Sequence, residues 1–236
     1  MKTHLGRGRS GLAIALLSIA ATGCVSRDIE LEDRDTFFPS VRATIWNGER
    51  SKTDVVDYAL EIDAAYGYGE DRQMLGVGEN ITFDGTTFLG PQTTRSLLHL
   101  TTGSAAFRMD FRSPEGPVRF GGAMLVGAGF TNVNLELRGN GVSERDEFAD
   151  FGPIVGGQFH LLPAPWLEFH LRTTAQLGFS DDPSALVSWE AGAEFQPNPA
   201  VGIFLGWRWW NYDKEISGSD IDVELSGPTA GLHFEF

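Results

Sequence analysis

Glu168, His170 and Arg172 stand at alternate positions of one segment, so a strand would place a carboxylate, an imidazole and a guanidinium on one face. A histidine beside a carboxylate can accept and donate protons, which is the basis of general acid–base catalysis. The same spacing also suits a structural ion pair. Because His170 lies between groups of opposite charge, we expect it to have the structural, hydrogen-bonded role.

No sequence motif of a metal or cofactor site is present. The chain has no His-Glu-x-x-His, Cys-x-x-Cys or glycine-rich phosphate motif. Acidic residues at 144–147, 150 and 213–224 could collect Ca²⁺ or Mg²⁺ through their oxygens, and such ions could bridge to lipopolysaccharide phosphates. Their spacing is not that of an EF-hand, which favours solvated loops. We predict no metal, no cofactor and no catalytic residue.

The segment that carries His170 covers residues 166–179 and alternates between apolar and polar side chains. This alternation predicts a strand with one oily and one polar face. The segment is 14 residues long. An average strand has about five or six residues, and roughly 9–11 tilted residues cross a bilayer. The pattern therefore allows a strand of a soluble or a membrane-spanning barrel.

Composition excludes several classes of protein. Hydrophobic residues make up 42% of the 236, which excludes a disordered chain and is too low for a bundle of membrane helices. The formal charge of −14, with no basic stripe in the sequence, argues against nucleic acid as a partner. A single all-β barrel can use the whole length.

The N-terminus has the organisation of an export signal. An apolar run over 12–20 is too short for a transmembrane helix, and three basic residues precede it: Lys2, Arg7 and Arg9. The following Ala21-Thr22-Gly23-Cys24 resembles a bacterial lipobox, with Ala21 where that family usually has leucine. An ordinary signal peptide ending near a cysteine is the alternative.

The lipobox resemblance implies a lipoprotein signal peptide over 1–23 and lipidation of Cys24, the only cysteine. Val25 and Ser26 follow in place of the aspartate that retains many lipoproteins in the inner membrane, so the outer membrane is favoured. Residues 24–36 are strongly charged after the cysteine and predict an acidic tether before the folded part.

From residue 37 onward the chain reads as strands separated by turns. We predict strands over 37–47, 57–68, 74–83, 97–111, 118–130, 151–161, 167–179, 186–195, 201–212 and 221–236. Short proline-rich turns alternate with longer or more acidic loops, among them 131–150, which is typical of outer-membrane barrels. Glu79 would face lipid and favours eight strands, without 37–47 and 74–83. The regular pattern from Phe37 favours ten, and we predict about ten.

Aromatic residues gather near the predicted strand ends in two bands. The loop-side band would contain Trp46, Tyr58, Phe179, Trp189, Trp207 and Trp209, and the turn-side band Tyr66, Tyr68, Phe111, Trp166, Phe195, Phe234 and Phe236. Two bands are typical of interfacial girdles. In the last strand, residues 221–225 have the opposite apolar parity from 230–236, which predicts a β-bulge at 226–228.

The last residues, Ala230-Gly231-Leu232-His233-Phe234-Glu235-Phe236, resemble the assembly signal of outer-membrane β-barrel proteins. In that family the barrel assembly machinery reads the final strand, so Leu232, Phe234 and Phe236 would form the signal. Over residues 37–236 the chain resembles small bacterial barrels of the OmpA, OmpX and OmpW type. This architectural likeness implies an all-β, transmembrane, antiparallel up-and-down barrel in the Gram-negative outer membrane. Both termini, and the lipid on Cys24, would be periplasmic.

The polar face of the strands would line the lumen of such a barrel. It carries Arg42, Asp57, Glu61, Asp63, Arg108, Asp110, Arg112, Arg119, Glu168, His170, Arg172, Glu190, Glu194 and Arg208. Side chains nearly fill a barrel of eight to ten strands, and buried charges require partners. We predict a salt-bridged plug, with a narrow porin-like path for a small solute as the alternative.

These features predict an integral outer-membrane β-barrel lipoprotein with a structural, adhesive or small-solute role, in contact with outer-membrane lipids and lipopolysaccharide. Its oligomeric state is left open. A lipid-anchored, soluble lipocalin-like barrel that binds a hydrophobic ligand is the first alternative, although the Gly-x-Trp start and C-terminal helix of lipocalins are missing.

A hydrolase of lipids or peptides at the barrel rim is the second alternative. The residues after His99 and His160 do not form the His-x-Ser element of outer-membrane lipid A deacylases. Asp181-Asp182 has no His-Asp partner nearby in sequence, unlike the pairs of omptin-type proteases. We therefore predict that the protein is not an enzyme.

Overall fold

The computed structural model describes residues 25–26, 29–46, 56–113, 118–179, 183–216 and 219–236. The predicted signal peptide and Cys24 lie outside these residues. The strands are β1 (Val25–Ser26), β2 (Ile29–Asp33), β3 (Phe38–Trp46), β4 (Val56–Leu75), β5 (Glu79–Phe83), β6 (Thr86–Leu89), β7 (Gln92–Arg112), β8 (Arg119–Gly139), β9 (Val142–Ala164), β10 (Leu167–Gly178), β11 (Ser184–Asn198), β12 (Val201–Ile216) and β13 (Ser219–Glu235). In this part of the chain, no helix is long and apolar enough to cross a membrane.

Ten of these strands form one large sheet in the order β12-β11-β10-β9-β8-β7-β4-β3-β13-β2. β13 pairs with β12 as well, so β12 has a paired neighbour on both sides. Every pairing in this sheet is antiparallel except those of β13 with β2 and β3. The predicted all-β fold with a large, mostly antiparallel sheet of about ten strands is confirmed.

One predicted strand of the large sheet is wrong, and one strand of this sheet was not predicted. Residues 74–83 do not form a strand of the large sheet, because β4 ends at Leu75 and β5 pairs with β6 and β1 in a separate three-stranded sheet. The tenth strand of the large sheet is β2, which lies in the segment predicted as a tether. Ile29 and Leu31 of β2 are fully buried, and their burial stabilises this strand against β13.

The direction of the first strands also differs from the prediction. β2 and β3 lie end to end beside β13 and run parallel to it. Residues 74–83 do not add a strand to the large sheet, so this sheet contains one reversal of direction fewer than predicted. The first and last strands therefore run in the same direction. Ile29 and Phe236 therefore lie at opposite ends of the sheet, and the expectation of both chain ends on one side is wrong for the described residues.

Because of this change of direction, some aromatic residues lie at the end of the sheet opposite to the one predicted for them. Tyr58 is paired with Met109 and lies at the end of the sheet that contains Phe111. Tyr66 and Tyr68, which we predicted at that end, are paired with Thr101 and His99 further along β7.

The apolar face of the sheet changes sides partway along the strands. In β8 the exposed apolar residues are Phe120, Met124, Val126 and Phe130, whereas further along the strand the buried residues are Val133, Leu135 and Leu137. These two sets have opposite parity, and β8 pairs with β9 without a register shift. The pleat is therefore continuous, and only the type of residue on each face changes.

The same inversion explains the residue pattern of β13. Ile221, Val223 and Leu225 are buried on one face, and Leu232 is exposed on the other. β13 pairs with β12 residue by residue from Ser219 to Phe234 without a shift. The predicted bulge at 226–228 is therefore wrong, because the parity change reflects an inversion of polarity along a regular strand.

The main apolar core lies in the part of the sheet where apolar residues face inward. The hairpin of β5 and β6 adds Ile81, Phe83 and Phe88 to it. The other core residues are Ile29, Leu31, Phe38, Ala65, Leu75, Leu98, Leu100, Val133, Leu135, Leu137, Leu186, Trp210, Tyr212, Ile221, Val223 and Leu225.

Residues 131–150, predicted as a long loop, are mostly strand. β8 and β9 continue as a hairpin that closes at Asn140 and Gly141, whose φ angles are 46° and 80°. Positive φ at both central residues is characteristic of a two-residue type I′ turn, for which Asn-Gly is the preferred sequence.

Candidate functional site

The buried charged residues of the large sheet form a continuous cluster. Alternation along each strand places them on the face that carries the core further along. We call the following the charged cluster: Arg42, Glu61, Asp63, Arg108, Asp110, Arg172, Glu190 and Arg208. Apart from Asp63, whose side chain is 15% exposed, each is at most 6% exposed.

The carboxylate of Glu190 on β11 contacts side chains from three other strands. Its Oε1 atom accepts a hydrogen bond from Nη2 of Arg42 at 3.1 Å and lies 2.9 Å from Nε2 of His170. Its Oε2 atom accepts from Nε of Arg208 at 3.0 Å. Strand register explains the contact with Arg208, because Glu190 is its direct cross-strand partner. On the other side, Glu190 is the direct cross-strand partner of Arg172.

Glu61 on β4 is a second centre of the cluster. Its carboxylate oxygens lie 2.8 Å from Nη1 of Arg108 and 2.5 Å from Nη1 of Arg172. Arg42, which donates to Glu190, also donates at 3.1 Å to Asp63, which lies two positions beyond Glu61 on the same face of β4. The charges are thus paired across β3, β4, β7, β10, β11 and β12.

Asp110 extends the cluster toward the end of the sheet that contains Phe111. Its carboxylate lies 3.0 Å from Arg112, 3.5 Å from Arg108 and 3.5 Å from Nε2 of His160. Arg112 in turn lies 3.7 Å from Asp57. Each arginine of this group therefore has an acidic partner, as the high cost of an unpaired buried charge requires.

Two aromatic rings lie close to the guanidiniums of three arginines. The guanidinium of Arg42 lies 5.1 Å from the ring centre of Phe204. The guanidiniums of Arg108 and Arg112 lie 5.9 Å and 5.5 Å from the ring of Trp46. These separations are within the range of cation–π attraction, which adds to the ion pairs.

Thr44, His233 and Glu194 form a hydrogen-bonded chain, of which the sequence predicted only Glu194 as an inward-facing residue. Thr44 Oγ1 lies 2.9 Å from His233 Nε2, and His233 Nδ1 lies 2.8 Å from Glu194 Oε1. A hydroxyl, an imidazole and a carboxylate in this order have the connectivity of a catalytic triad. Thr44 has no exposed surface, so a substrate could reach its hydroxyl only if the strands around it separated.

The signal for His233 was present in the sequence. It has the parity opposite to Leu232, Phe234 and Phe236, which places its side chain on the inward face of the last strand. Thr44 is uncharged, and no feature of the sequence around it predicts a contact with His233. Its contact arises from the parallel pairing of β3 with β13, which the predicted topology did not include.

A second buried ion pair lies beyond the charged cluster, toward the apolar core. Asp150 accepts hydrogen bonds from Nζ of Lys214 at 2.8 Å and from the hydroxyl of Tyr212 at 2.7 Å. Burial and the hydrogen bond to Asp150 raise the pKa of the Tyr212 hydroxyl well above its usual value. Asp150 was expected in a solvated acidic loop, but it is buried in β9.

The structure places the remaining predicted lumen residues as follows. Glu168 accepts a hydrogen bond from Gln158 at 3.1 Å, and Arg119 is half-buried at the start of β8. Leu232 and Phe236 of the predicted assembly signal are exposed, with Phe234 partly exposed on the same face. His99 lies on the outer face with its Nδ1 atom 2.5 Å from the hydroxyl of Tyr66.

A small internal cavity of about 40 Å³ borders the charged cluster. Asp63, Arg172, Glu190 and Arg208 line it together with Gln176. A space of this size holds about three water molecules, which could satisfy polar atoms of the cluster. In the described ranges, no group of three or more His, Cys, Asp or Glu residues is arranged to hold a metal ion.

Comparisons of the chain with protein-family models, with curated proteins and with solved structures found no match.

Proposed function

We propose that the large sheet closes into a β-barrel that spans the bacterial outer membrane and is filled by its own side chains. The observation that carries this proposal is the exposed apolar belt around the outside of the strands, opposite the charged cluster. Among its most exposed members are Met124, Val126, Phe151, Val155 and Leu205, each between 55% and 65% exposed. An apolar surface of this extent marks contact with lipid or with a partner protein.

The pairing pattern supports closure. β13 pairs with β12 on one side and with β2 and β3 on the other, and the remaining pairings run without interruption from β3 to β12. A sheet that returns to its first strand has no exposed edge. Closure removes unpaired backbone groups, which is the requirement for crossing a lipid bilayer.

The height of the apolar belt matches a membrane. On β4 it extends from Tyr58 to Tyr68, ten residues apart, and the same separation holds for Phe120 and Phe130 on β8. Ten residues cover roughly 33 Å along a strand, or about 25 Å in height when the strand is tilted by about 40°. The apolar band of outer-membrane barrels is about 25 Å tall.

The filled interior favours a structural or adhesive role over transport of a solute. The charged cluster pairs its acids and bases across the sheet, and the apolar core lies further along the same interior face. β7 and β8 continue beyond the belt with Leu98, Leu100, Val133, Leu135 and Leu137 buried on the inside, and β9 packs Phe148 against the same core. We propose that this extension is a folded region presented outside the bilayer.

The chain is also proposed to be a lipoprotein, on the strength of the lipobox-like sequence at Cys24. Val25 pairs with Glu79 beside the β5–β6 hairpin, at the end of the sheet far from Phe236. The lipid would then enter the leaflet opposite the one that the C-terminal strand reaches. This replaces the expectation that both lie on the periplasmic side.

The test is extraction from membranes of a Gram-negative host that expresses the full chain. We expect the protein to stay in the membrane pellet after washing with alkaline carbonate and with urea, both with Cys24 and in a Cys24→Ser variant. Release of the Cys24→Ser variant without detergent would contradict membrane insertion and support the lipid-anchored soluble barrel.

Conductance in planar bilayers tests the filled interior separately. We expect no steady current from the reconstituted protein, because paired side chains occupy the lumen. A large steady current would contradict the plug and support the solute path.

A further inference from the structure

Three arginines lie side by side on the outer face of β4, β7 and β8. Arg72 is the cross-strand partner of Arg95, and Arg95 is the cross-strand partner of Arg138. Their side chains are 69%, 40% and 49% exposed, respectively. Like charges in directly opposite positions destabilise a sheet. Sheet stability therefore gives no reason for this arrangement, which we call the arginine row.

Two carboxylates neutralise only part of the arginine row. Glu70 lies 2.5 Å from Arg95 and 3.8 Å from Arg72, and the hydrogen bond to Arg95 lowers the pKa of Glu70. Glu136 accepts two bonds from Arg138, at 2.6 Å and 2.8 Å. Three guanidiniums face two carboxylates, and each guanidinium carries five N–H donors. Positive charge and donors remain for an anion.

The end of the row at Arg72 fits the headgroup layer of the proposed membrane. Arg72 is four residues beyond Tyr68 on β4, which corresponds to roughly 13 Å along the strand and about 10 Å in height. Headgroups add about 5–8 Å to each side of the hydrocarbon core. The long side chain of Arg72 can span the difference and place its guanidinium beside lipid phosphates. Arg138 is eight residues beyond Phe130 on β8, roughly 26 Å along the strand and about 20 Å in height, so the row rises away from the hydrocarbon toward β8.

The outer face has the opposite sign on the other side of the molecule. Asp213 and Asp222 are direct cross-strand partners on β12 and β13, and Glu215 and Glu224 are exposed on the same strands. Partial burial and the charge of Asp222 raise the pKa of Asp213. An anionic headgroup is repelled from this acidic side, so the arginine row is the favourable place for it.

We infer that the arginine row binds the phosphate group of a membrane lipid, with the acyl chains lying along the belt below Tyr66, Tyr68 and Phe130. Arginine suits this task because its planar fork can donate two hydrogen bonds to one phosphate. The inference rests on the proposed membrane insertion. It also locates lipid contact at a basic row, and not at the acidic loops where bridging cations would be needed.

The test measures lipid retained by the full protein after purification in a neutral detergent, using native mass spectrometry. Phosphatidic acid and diacylglycerol with the same acyl chains are the two probes, since they differ only in the phosphate. We expect the wild type to retain phosphatidic acid in preference to diacylglycerol by about tenfold or more, as charge-assisted bidentate bonds imply. A variant with Arg72→Gln, Arg95→Gln and Arg138→Gln should lose this preference.

Arg34→Gln is the matched control, because Arg34 is exposed and paired with Glu32 outside the row. It should keep the preference for phosphatidic acid. Equal retention by the wild type and the triple variant would overturn the inference. Binding of inorganic phosphate that the triple variant loses, with no preference of the wild type for phosphatidic acid over diacylglycerol, would also overturn it, since a free anion would then be the ligand.

The carbonate wash separates the two proposals. If the wild type stays in the membrane but shows no preference for phosphatidic acid, the inference fails and the proposed function stands. If the wild type is washed off, the proposed function fails.

Discussion

Glu190 shows how a single residue gathers the contacts of several strands. It is buried, and its carboxylate faces Arg42, His170 and Arg208. The parity of these residues along the sequence identifies the polar face. Their pairing requires knowledge of which strands are neighbours, because Arg42 and Glu190 are far apart in the chain.

Replacing Glu190 with glutamine keeps the shape of the side chain and removes its charge. We expect Glu190→Gln to lower the free energy of unfolding by about 3–5 kcal/mol, because Arg42 and Arg208 would lose their shared counter-charge in a buried place. Urea unfolding of the reconstituted protein, followed by tryptophan fluorescence, measures this change.

Glu215→Gln is the control for Glu190→Gln, since it removes the same charge from an exposed position of β12. Its effect should be within about 0.5 kcal/mol. If both variants unfold alike, the charged cluster does not stabilise the fold as we infer.

Tyr212 gives a prediction for alkaline pH. Its folded-state pKa is raised, so the hydroxyl stays protonated in the folded protein when an unfolded tyrosine ionises near pH 10. The contribution of this group is fully present below about pH 10 and is lost as the pH rises above it. We expect the unfolding free energy of the wild type to fall more steeply above that pH than that of Tyr212→Phe.

Absorbance at 295 nm provides the direct measurement for Tyr212. The folded wild type and the folded Tyr212→Phe variant should show the same ionisation amplitude, whereas the unfolded wild type should show one tyrosine more than the unfolded variant. A larger folded amplitude in the wild type would show that Tyr212 titrates normally and is not buried against Asp150.

At the scale of elements, the β5–β6 hairpin shows that alternation alone cannot assign a strand to a particular sheet. Its pattern predicted a strand of the large sheet with Glu79 toward lipid. In the structure the hairpin forms its own small sheet, and Glu79 accepts a hydrogen bond from the backbone of Gly76. Leu75 and Gln92 are direct partners at the ends of β4 and β7, so these two strands pair up to their ends. The β5–β6 hairpin is therefore an insertion into the turn that joins them.

The hairpin stabilises the extension by adding apolar side chains to the core. We expect Phe88→Ala to cost about 3–5 kcal/mol in unfolding free energy, because Phe88 is buried in the core cluster. Leu89→Ala, at an exposed position of the same strand, should cost less than about 0.5 kcal/mol. Chemical denaturation monitors both, and equal effects would contradict burial of Phe88.

The β8–β9 hairpin was missed for a related reason. Asn140-Gly141 is a strong turn signal, but the apolar residues on either side of it have the parity opposite to that of 120–130 and 151–161. A single continuous apolar face therefore predicts strands that end near Phe130 and Phe151. The strand continues, and the apolar face moves from the outside to the inside.

For the whole molecule, the proposed membrane insertion predicts that this inversion separates a lipid-facing part of each strand from a part in water. Val126 and Asn134 lie on the outer face of β8, Val126 in the apolar belt and Asn134 beyond it. We expect Val126→Arg to destabilise the reconstituted protein by about 2–4 kcal/mol, the cost of an arginine at the bilayer midplane. Asn134→Arg should change stability by about 1 kcal/mol or less.

The fraction of each variant that folds into lipid vesicles, as a function of urea, measures the difference. Equal values for Val126→Arg and Asn134→Arg would mean that the apolar belt does not contact lipid. A soluble barrel would give that result, because neither position would then lie in hydrocarbon.

The sequence by itself determined the all-β class, the approximate number of strands and the residues of the charged cluster. The reason is that side-chain parity is a local property of an extended chain. Only the tertiary structure decided the parallel pairing of β13 with β2 and β3, the partners of each charge, and the neighbours in the arginine row. Those contacts join residues far apart in sequence, and they depend on strand order and register.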